Sequence, residues 1–246
     1  MSSTLTGKQR YYDYLSRGTR KWYPADAAAR YRQCDEDYLA ASGDSGKFLF
    51  IRTLADTLPP GARVLDLGCG TGRYLHCFNE SVSIVGVDFS RPMIEQARHP
   101  VLGTRARVAL VESALHVVAF QPRSFDSVYC MGVFGGSWPL DAYITSVIAS
   151  WLKPSGVLYC DVVINYLTLS SGTWRSRLAT AAAPYLRGAP RAYVEARLKR
   201  VNRSRGEVVD TLCDSFEEVN VRRFMGAGGQ REDLLCVASA PRVQAQ

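Results

Sequence analysis

The chain has 246 residues, 47% hydrophobic and 22% charged, an ordinary globular composition with enough length for one large α/β domain and its own core. Its first residues lack the apolar run of a secretory signal and no apolar stretch approaches the ~18 residues of a membrane span, so a soluble, cytoplasmic protein is expected. The net charge of +7 is uneven, with +5 in residues 1–32, +8 in residues 172–206 and −6 elsewhere, which fits either solvated helix faces or a rim that attracts an acidic partner.

Residues 8–58 read as helical. Pro24 suits a first helical turn, the Ala-rich stretch 25–41 continues from it, and a break at Ser42-Gly-Asp-Ser-Gly precedes a second helix through Phe48, Ile51 and Leu54. Pro59-Pro60-Gly61 ends that helix. Short apolar runs then alternate with helical patterns, the sequence form of βαβ units on a parallel sheet. Strands are expected at 63–67, 83–88, 107–111, 127–131 and 156–163, with helices at 72–80, 91–98 and 140–152 between them. Lys153-Pro-Ser-Gly reads as a stop and turn before the fifth strand.

Two helices at 174–186 and 191–201, divided by Gly188-Ala-Pro190, interrupt the alternation as an insertion. A helix near 207–215 and strands at 219–224 and 233–240 follow, and the turn Gly226-Ala-Gly-Gly229 favours an antiparallel hairpin. The seven cysteines are odd in number and scattered, with no C-x-x-C pair. Neither a zinc site nor a disulfide framework is expected, and a reducing compartment is the natural setting.

The chemistry concentrates in Val64-Leu-Asp-Leu-Gly-Cys-Gly-Thr-Gly-Arg73, an apolar strand running into a glycine-rich turn. Glycines at 68, 70 and 72 allow positive φ and let a ligand lie against backbone, at the place where open parallel sheets bind ligands. Nicotinamide-cofactor enzymes spread their glycines as G-x-G-x-x-G before a pyrophosphate. Here the string is G-C-G-T-G, and Asp66 in the strand end suits a cationic ligand and would repel a pyrophosphate. Sixteen residues after Gly72, Asp88 ends the run Ile84-Val-Gly-Val-Asp88. A carboxylate there can accept from both ribose hydroxyls, Phe89 can cover one adenine face, and Ser90 reads as the N-cap of the next helix.

These two motifs in register resemble those of the class I, Rossmann-like S-adenosylmethionine-dependent methyltransferases of small-molecule type. The resemblance is specific over residues 62–165, architectural over 206–240, and absent from 1–45 and 170–205. It implies an α/β, three-layer fold with a mostly parallel seven-stranded sheet and an antiparallel last strand, together with an N-terminal helical lid and a helical insertion between strands five and six. The expected organisation is one methyltransferase domain over 1–246, made of an N-terminal helical segment at 1–58, a cofactor-binding core at 62–165, a cap insertion at 170–205, and the last helix and strands at 206–240.

The cofactor implied is S-adenosyl-L-methionine, held by Asp66, Gly68, Cys69, Gly70, Asp88, Phe89 and Met93. On the family pattern, Ala114 stands where an aspartate meets the adenine amino group, with Glu112 or Ser113 as substitutes and backbone near Leu115 at the ring edge. Cys130, in the stretch Tyr129-Cys-Met-Gly-Val-Phe-Gly-Gly-Ser-Trp138, borders the methionyl chain. That stretch lacks the Asn/Asp-Pro-Pro-Tyr/Phe motif that holds a flipped base.

Methyl transfer from a sulfonium is in-line displacement, in which positioning is the main catalytic term. His76, His99 and His116 each read more simply as structural or solvated groups than as bases, so no catalytic residue is named and no metal is expected. The acceptor is expected to be a small molecule, anionic or aromatic, contacted by Tyr11, Tyr14, Trp138 and Arg175, with Arg177 and Arg191 as further basic candidates. Two other readings stay open: an RNA methyltransferase, which the basic segments favour, and a protein that binds the cofactor without methylating.

Overall fold

The computed structural model describes residues 11–13, 15–17, 25–40, 46–135, 138–164, 204–225 and 232–242. Its frame is a seven-stranded sheet with strand order β3-β2-β1-β4-β5-β7-β6. The strands are β1 (Arg63–Leu67), β2 (Ser83–Asp88), β3 (Arg107–Glu112), β4 (Phe125–Phe134), β5 (Leu152–Ile164), β6 (Phe216–Met225) and β7 (Glu232–Pro241). β1 pairs in parallel with β2 from Arg63↔Ser83 to Leu67↔Val87, and with β4 at Val64↔Ser127 to Asp66↔Tyr129. β2 pairs in parallel with β3. β7 runs antiparallel to both β5 and β6. This is the mostly parallel sheet with an antiparallel last strand that the sequence led one to expect.

Five helices carry labels: α1 (Ala25–Ala40), α2 (Gly46–Thr57), α3 (Arg91–Ala97), α4 (Ala142–Trp151) and α5 (Arg205–Cys213). Residues 11–13 and 15–17 are also helical. α2 buries Phe48, Ile51, Leu54 and Ala55 at helical spacing and leaves Leu49 exposed. α5 starts with a capping box in which the Ser204 hydroxyl accepts from Glu207 N–H and the Glu207 carboxylate accepts from Ser204 N–H. Among the described residues, no helix is long and apolar enough to cross a membrane.

Several expected boundaries shift. The helix expected at 72–80 is replaced by turns and a short 3₁₀ helix at Leu75–Cys77. In an α-helix the Cys77 N–H would bond the carbonyl of Arg73, but that oxygen meets His76 Nδ1 at 2.9 Å, and the Cys77 N–H donates to Tyr74 O at 3.0 Å. Ser90 occupies the N-cap position of α3, yet its side chain makes no capping bond. β4 extends beyond both ends of the expected 127–131, and β5 already begins at Leu152. Within β5 the Lys153-Pro-Ser-Gly segment still bends closely: a Cβ added at Gly156 would fall 2.9 Å from the Lys153 carbonyl.

The insertion at 170–205 lies outside the described residues up to 203, as do the 42–45 break and the 226–229 turn. The chain divides into two compact units. The first comprises Met1–Cys130 and Trp151–Gly156, the second Met131–Ser150 and Val157–Gln246, so the division runs through β4 and β5.

In the first unit, Val64, Leu65, Leu67, Ile84, Phe125 and Val128 are buried. Asp126 joins strand starts there, accepting from Arg63 N–H at 2.8 Å and from Lys153 Nζ at 2.7 Å. In the second unit, Thr145 and Ser215 hydroxyls meet at 3.0 Å inside the core, so both polar groups are satisfied.

Gly135 is the tightest backbone position. Its φ is +81°, and an added Cβ would sit 2.1 Å from Val163 O and 2.8 Å from Val163 N. Gly103 also has positive φ, +68°, but faces open space. Gly103→Ala should therefore cost only the left-handed penalty of about 1–2 kcal/mol, whereas Gly135→Ala should cost distinctly more because two backbones must separate. Urea unfolding of the two variants checks the order.

Candidate functional site

The carboxyl ends of β1 and β2 meet at the glycine-rich turn. Val87 O, near the end of β2, accepts from Gly68 N–H at 2.7 Å and from Cys69 N–H at 3.0 Å. Asp88 Oδ2 accepts from Gly70 N–H at 3.0 Å and its Oδ1 accepts from Ser90 N–H at 2.8 Å. Gly68, Gly70 and Gly72 have φ of +77°, +52° and +79°, a conformation that only glycine adopts without strain. A Cβ at Gly72 would press on Leu75, Pro100 and Ala97, so Gly72 is required by packing. At Gly70 an added Cβ would meet nothing within 4 Å. Gly70 therefore faces free space beside a buried carboxylate, the arrangement of a backbone cradle for a ligand.

Two carboxylate oxygens carry about four acceptor positions, so beyond its backbone bonds Asp88 keeps acceptor capacity for a ligand hydroxyl. Burial pushes this carboxyl up to about 6, against the lowering effect of the Ser90, Gly70 and Phe89 N–H groups. Asp66 lies deeper. Its Oδ2 accepts from the Tyr129 hydroxyl at 2.7 Å, across the β1–β4 pair that aligns the two residues. Burial pushes the Asp66 carboxyl up to about 8, the Tyr129 bond opposes the rise and the charge of Asp88 adds to it. Phe78 stacks on Tyr129 with ring centroids 5.5 Å apart. The Cys69 thiol, buried next to both carboxyls, is pushed well up, so it packs as a small hydrophobe. Its sulfur would lie 3.2 Å from a Cβ at Gly86, which accounts for glycine in the middle of β2.

The first unit contains Asp66, Gly68, Cys69, Gly70, Asp88, Phe89, Met93, Ser113, Ala114 and Cys130. Met93 and Cys130 are buried and Phe89 is half-buried. Ser113 N–H donates to Asp88 O at 2.9 Å, which brings the loop after β3 to the end of β2. Ala114 and Leu115 are buried in that loop, beside half-buried Ser113 and exposed Glu112.

Tyr11 packs on Tyr12 at 5.4 Å, and Tyr12 lies 5.8 Å from the His116 ring, whose Nε2 meets Asp13 at 2.9 Å. The helical residues at 11–13 thus stand against the loop after β3, at the adenine end of the expected site. In the second unit Trp138 is only 2% exposed. Its N–H donates to Val133 O at 3.0 Å and its carbonyl accepts from Gly135 N–H at 2.8 Å. Tyr14, Arg175, Arg177 and Arg191 lie outside the described residues.

Of the histidines, His76 is partly buried between Arg73 O and the Phe48 ring, and burial lowers its pKa, which favours the neutral ring. His99 contributes its carbonyl to Arg32 at 2.9 Å. Sequence reasoning did not single out Asp35, Tyr129 or Asp161. The Thr71 hydroxyl donates to Asp35 at 2.5 Å, and Arg73 pairs with the same carboxylate. Asp161, fully buried in β5, accepts from Gly132 N–H at 2.5 Å, and Gly132 has φ +76° with open space where a Cβ would point. The available signal was a polar residue inside an apolar strand, which marks Tyr129 and Asp161 but gives no partner.

Residues 64–156 match a family model described as a methyltransferase domain. The chain is 33% identical over 129 residues to the ubiquinone biosynthesis O-methyltransferase of Xanthomonas campestris pv. campestris (strain B100), covering 52% of this chain and 51% of that protein. It is 34% identical over 123 residues to the phosphatidylethanolamine N-methyltransferase of Cereibacter sphaeroides, covering 49% of this chain and 59% of that one. The chain spans about half the length of the curated relatives it matches. Among solved structures, the phosphoethanolamine N-methyltransferase 2 of Haemonchus contortus in complex with S-adenosyl-L-methionine superposes with a TM-score of 0.60 at 16% identity, over 98% of this chain and 61% of that one.

The raised carboxyls set a pH dependence for the unliganded protein. Their ordinary value is 3.8, and they rise to about 6 (Asp88) and about 8 (Asp66) on folding. The folded chain therefore holds protons that the unfolded chain has released, and stability falls as pH rises from about 4 to 8. Only the Asp66 part extends above pH 6. Asp66→Asn, which mimics the protonated carboxyl, should flatten the fall between pH 6 and 8 in urea unfolding curves.

Proposed function

We propose that this chain, whose residues 64–156 form a methyltransferase domain, transfers a methyl group from S-adenosyl-L-methionine to a small-molecule acceptor. The observation that carries the reading is the open backbone at Gly70 directly beside the buried Asp88 carboxylate. The residues fit the cofactor's chemistry. Asp88 supplies acceptors for a ribose diol, the backbone at Gly68–Gly70 allows close approach, and half-buried Phe89 offers an aromatic face. Asp66 offers a carboxylate to an ammonium group, an interaction that a pyrophosphate ligand would reverse in sign. When bound, the cofactor supplies an already activated methyl on a sulfonium.

The chain's own work is then to bind, orient and exclude water. Two buried carboxyls without a cation favour the protonated state, and an ammonium beside Asp66 favours its ionised form, so binding releases a proton below pH 8. Tyr129 steadies the ionised form by donating to it. A base is needed only if the acceptor carries its proton at working pH.

The acceptor is read as small because the relatives include a ubiquinone biosynthesis O-methyltransferase and a phosphatidylethanolamine N-methyltransferase, and because the stretch 129–138 lacks a base-flipping motif. The basic segments at 1–32 and 172–206 favour an anionic or aromatic acceptor over a cationic amine. A metabolite panel of carboxylates, phenols, phosphorylated compounds and amines, scored by S-adenosylhomocysteine release, tests this directly. Turnover confined to amines would overturn the electrostatic part, and turnover of RNA alone would replace the acceptor class.

Calorimetry with S-adenosylhomocysteine tests the cofactor assignment. Asp88→Ala should weaken binding by roughly 1.5–3 kcal/mol for each charge-assisted hydrogen bond lost, while equal or tighter binding of NAD would sink the reading. The wild-type affinity should rise from pH 6 to 8, with proton release shown by buffers of different ionisation enthalpy. Asp66→Asn should abolish that release.

A further inference from the structure

The glycine-rich turn is loose by composition, because three glycines in five residues leave its backbone many alternatives. Its first half is held from the sheet, by Val87 O on Gly68 and Cys69 and by Asp88 on Gly70. Its second half is held from elsewhere. The carboxylate of Asp35 in α1 accepts from the Thr71 hydroxyl with one oxygen and from the Arg73 guanidinium with the other. Asp35 and Thr71 are both buried, and the Asp35 side chain is only 3% exposed. A carboxylate so deeply placed on a helix is costly unless paired, and here both oxygens are paired within one turn.

α1 is itself anchored. Arg32 donates to Gln96 Oε1 at 3.1 Å and to His99 O at 2.9 Å, at the end of α3 and just past it, and Ala27 and Ala28 are buried. The helix that presents Asp35 is therefore tied to the element that follows Asp88. Gly70, the position with open space, lies between the two holds.

We propose that Asp35 is a positioning residue of the cofactor site: from the N-terminal helix it fixes Thr71 and Arg73, and so keeps the backbone at Gly70 in the conformation that admits the ligand. The ligand in this statement rests on the methyltransferase reading above; the hold on the turn does not. The N-terminal helix, which lies outside the residues matched by the family model, thereby becomes part of the donor site.

The test compares Asp35→Ala, Asp35→Asn and wild type by hydrogen exchange and by calorimetry with S-adenosylhomocysteine. In the ligand-free protein, amides of residues 70–73 should exchange on the order of tenfold faster in Asp35→Ala, while those of β2 and β3 keep their protection. The dissociation constant should rise on the order of tenfold, with Asp35→Asn between the two because it keeps an acceptor for Thr71 and loses the charge facing Arg73. Combining Asp35→Ala with Thr71→Val should add little to either single change. If Asp35→Ala does not fold, Arg73→Gln with Thr71→Val removes the same hold from the other side and must give the same two effects.

Unchanged exchange in the turn would overturn the proposal. So would faster exchange spread evenly over the chain with an unchanged dissociation constant, which would make Asp35 a general prop. If wild type binds no S-adenosylhomocysteine, the cofactor reading fails and exchange of the turn alone decides whether Asp35 positions it.

Discussion

One carboxylate joins the parts on which the candidate site depends. Asp88 ends β2 and accepts from the backbone of the turn after β1 and from the backbone that opens α3. Two adjacent βα connections are thus fixed by one side chain, at the edge where parallel strands end. Glycine at 70 takes the positive φ of the turn, +52°, and the absence of a Cβ leaves open space on that side. Structure and binding therefore draw on one geometry, and a change that loosens the turn removes the cradle with it.

The electrostatics of this corner are unfinished without a ligand. Asp66 and Asp88 are both buried, and no cationic side chain bonds to either of them in the hydrogen bonds described. Their neighbours are N–H groups and the Tyr129 hydroxyl. Dipoles of this kind soften the burial of negative charge without cancelling it, which is why both carboxyls hold their protons to higher pH than usual. A cationic ligand would complete the charge balance, and a dianionic one would worsen it.

The N-terminal residues enter this picture from an unexpected side. Asp35 grips the turn, Arg32 reaches the end of α3, and Tyr12 and Asp13 meet His116 after β3. The turn after β1, the end of α3 and the loop after β3 are thus touched by residues before 41.

What the sequence by itself determined is local and periodic. Alternating apolar runs placed β1 and β2 to the residue, the glycine string marked the turn, and Asp88 stood out at a strand end, because each of these signals lies within ten neighbouring residues. Tertiary structure decided the rest. Where an α-helix was expected at 72–80, His76 meets the Arg73 carbonyl and Asp35 binds Thr71 and Arg73 from another helix. The partner of Asp66 is Tyr129, 63 residues away, and only the β1–β4 register brings them opposite. Asp35 reads in sequence as one more polar residue on a solvated helix, since no local pattern records that it is buried against a turn 36 residues further on. Hydrogen bonds between distant segments leave no periodicity, so the residues that hold the site in place became visible only when the chain was folded.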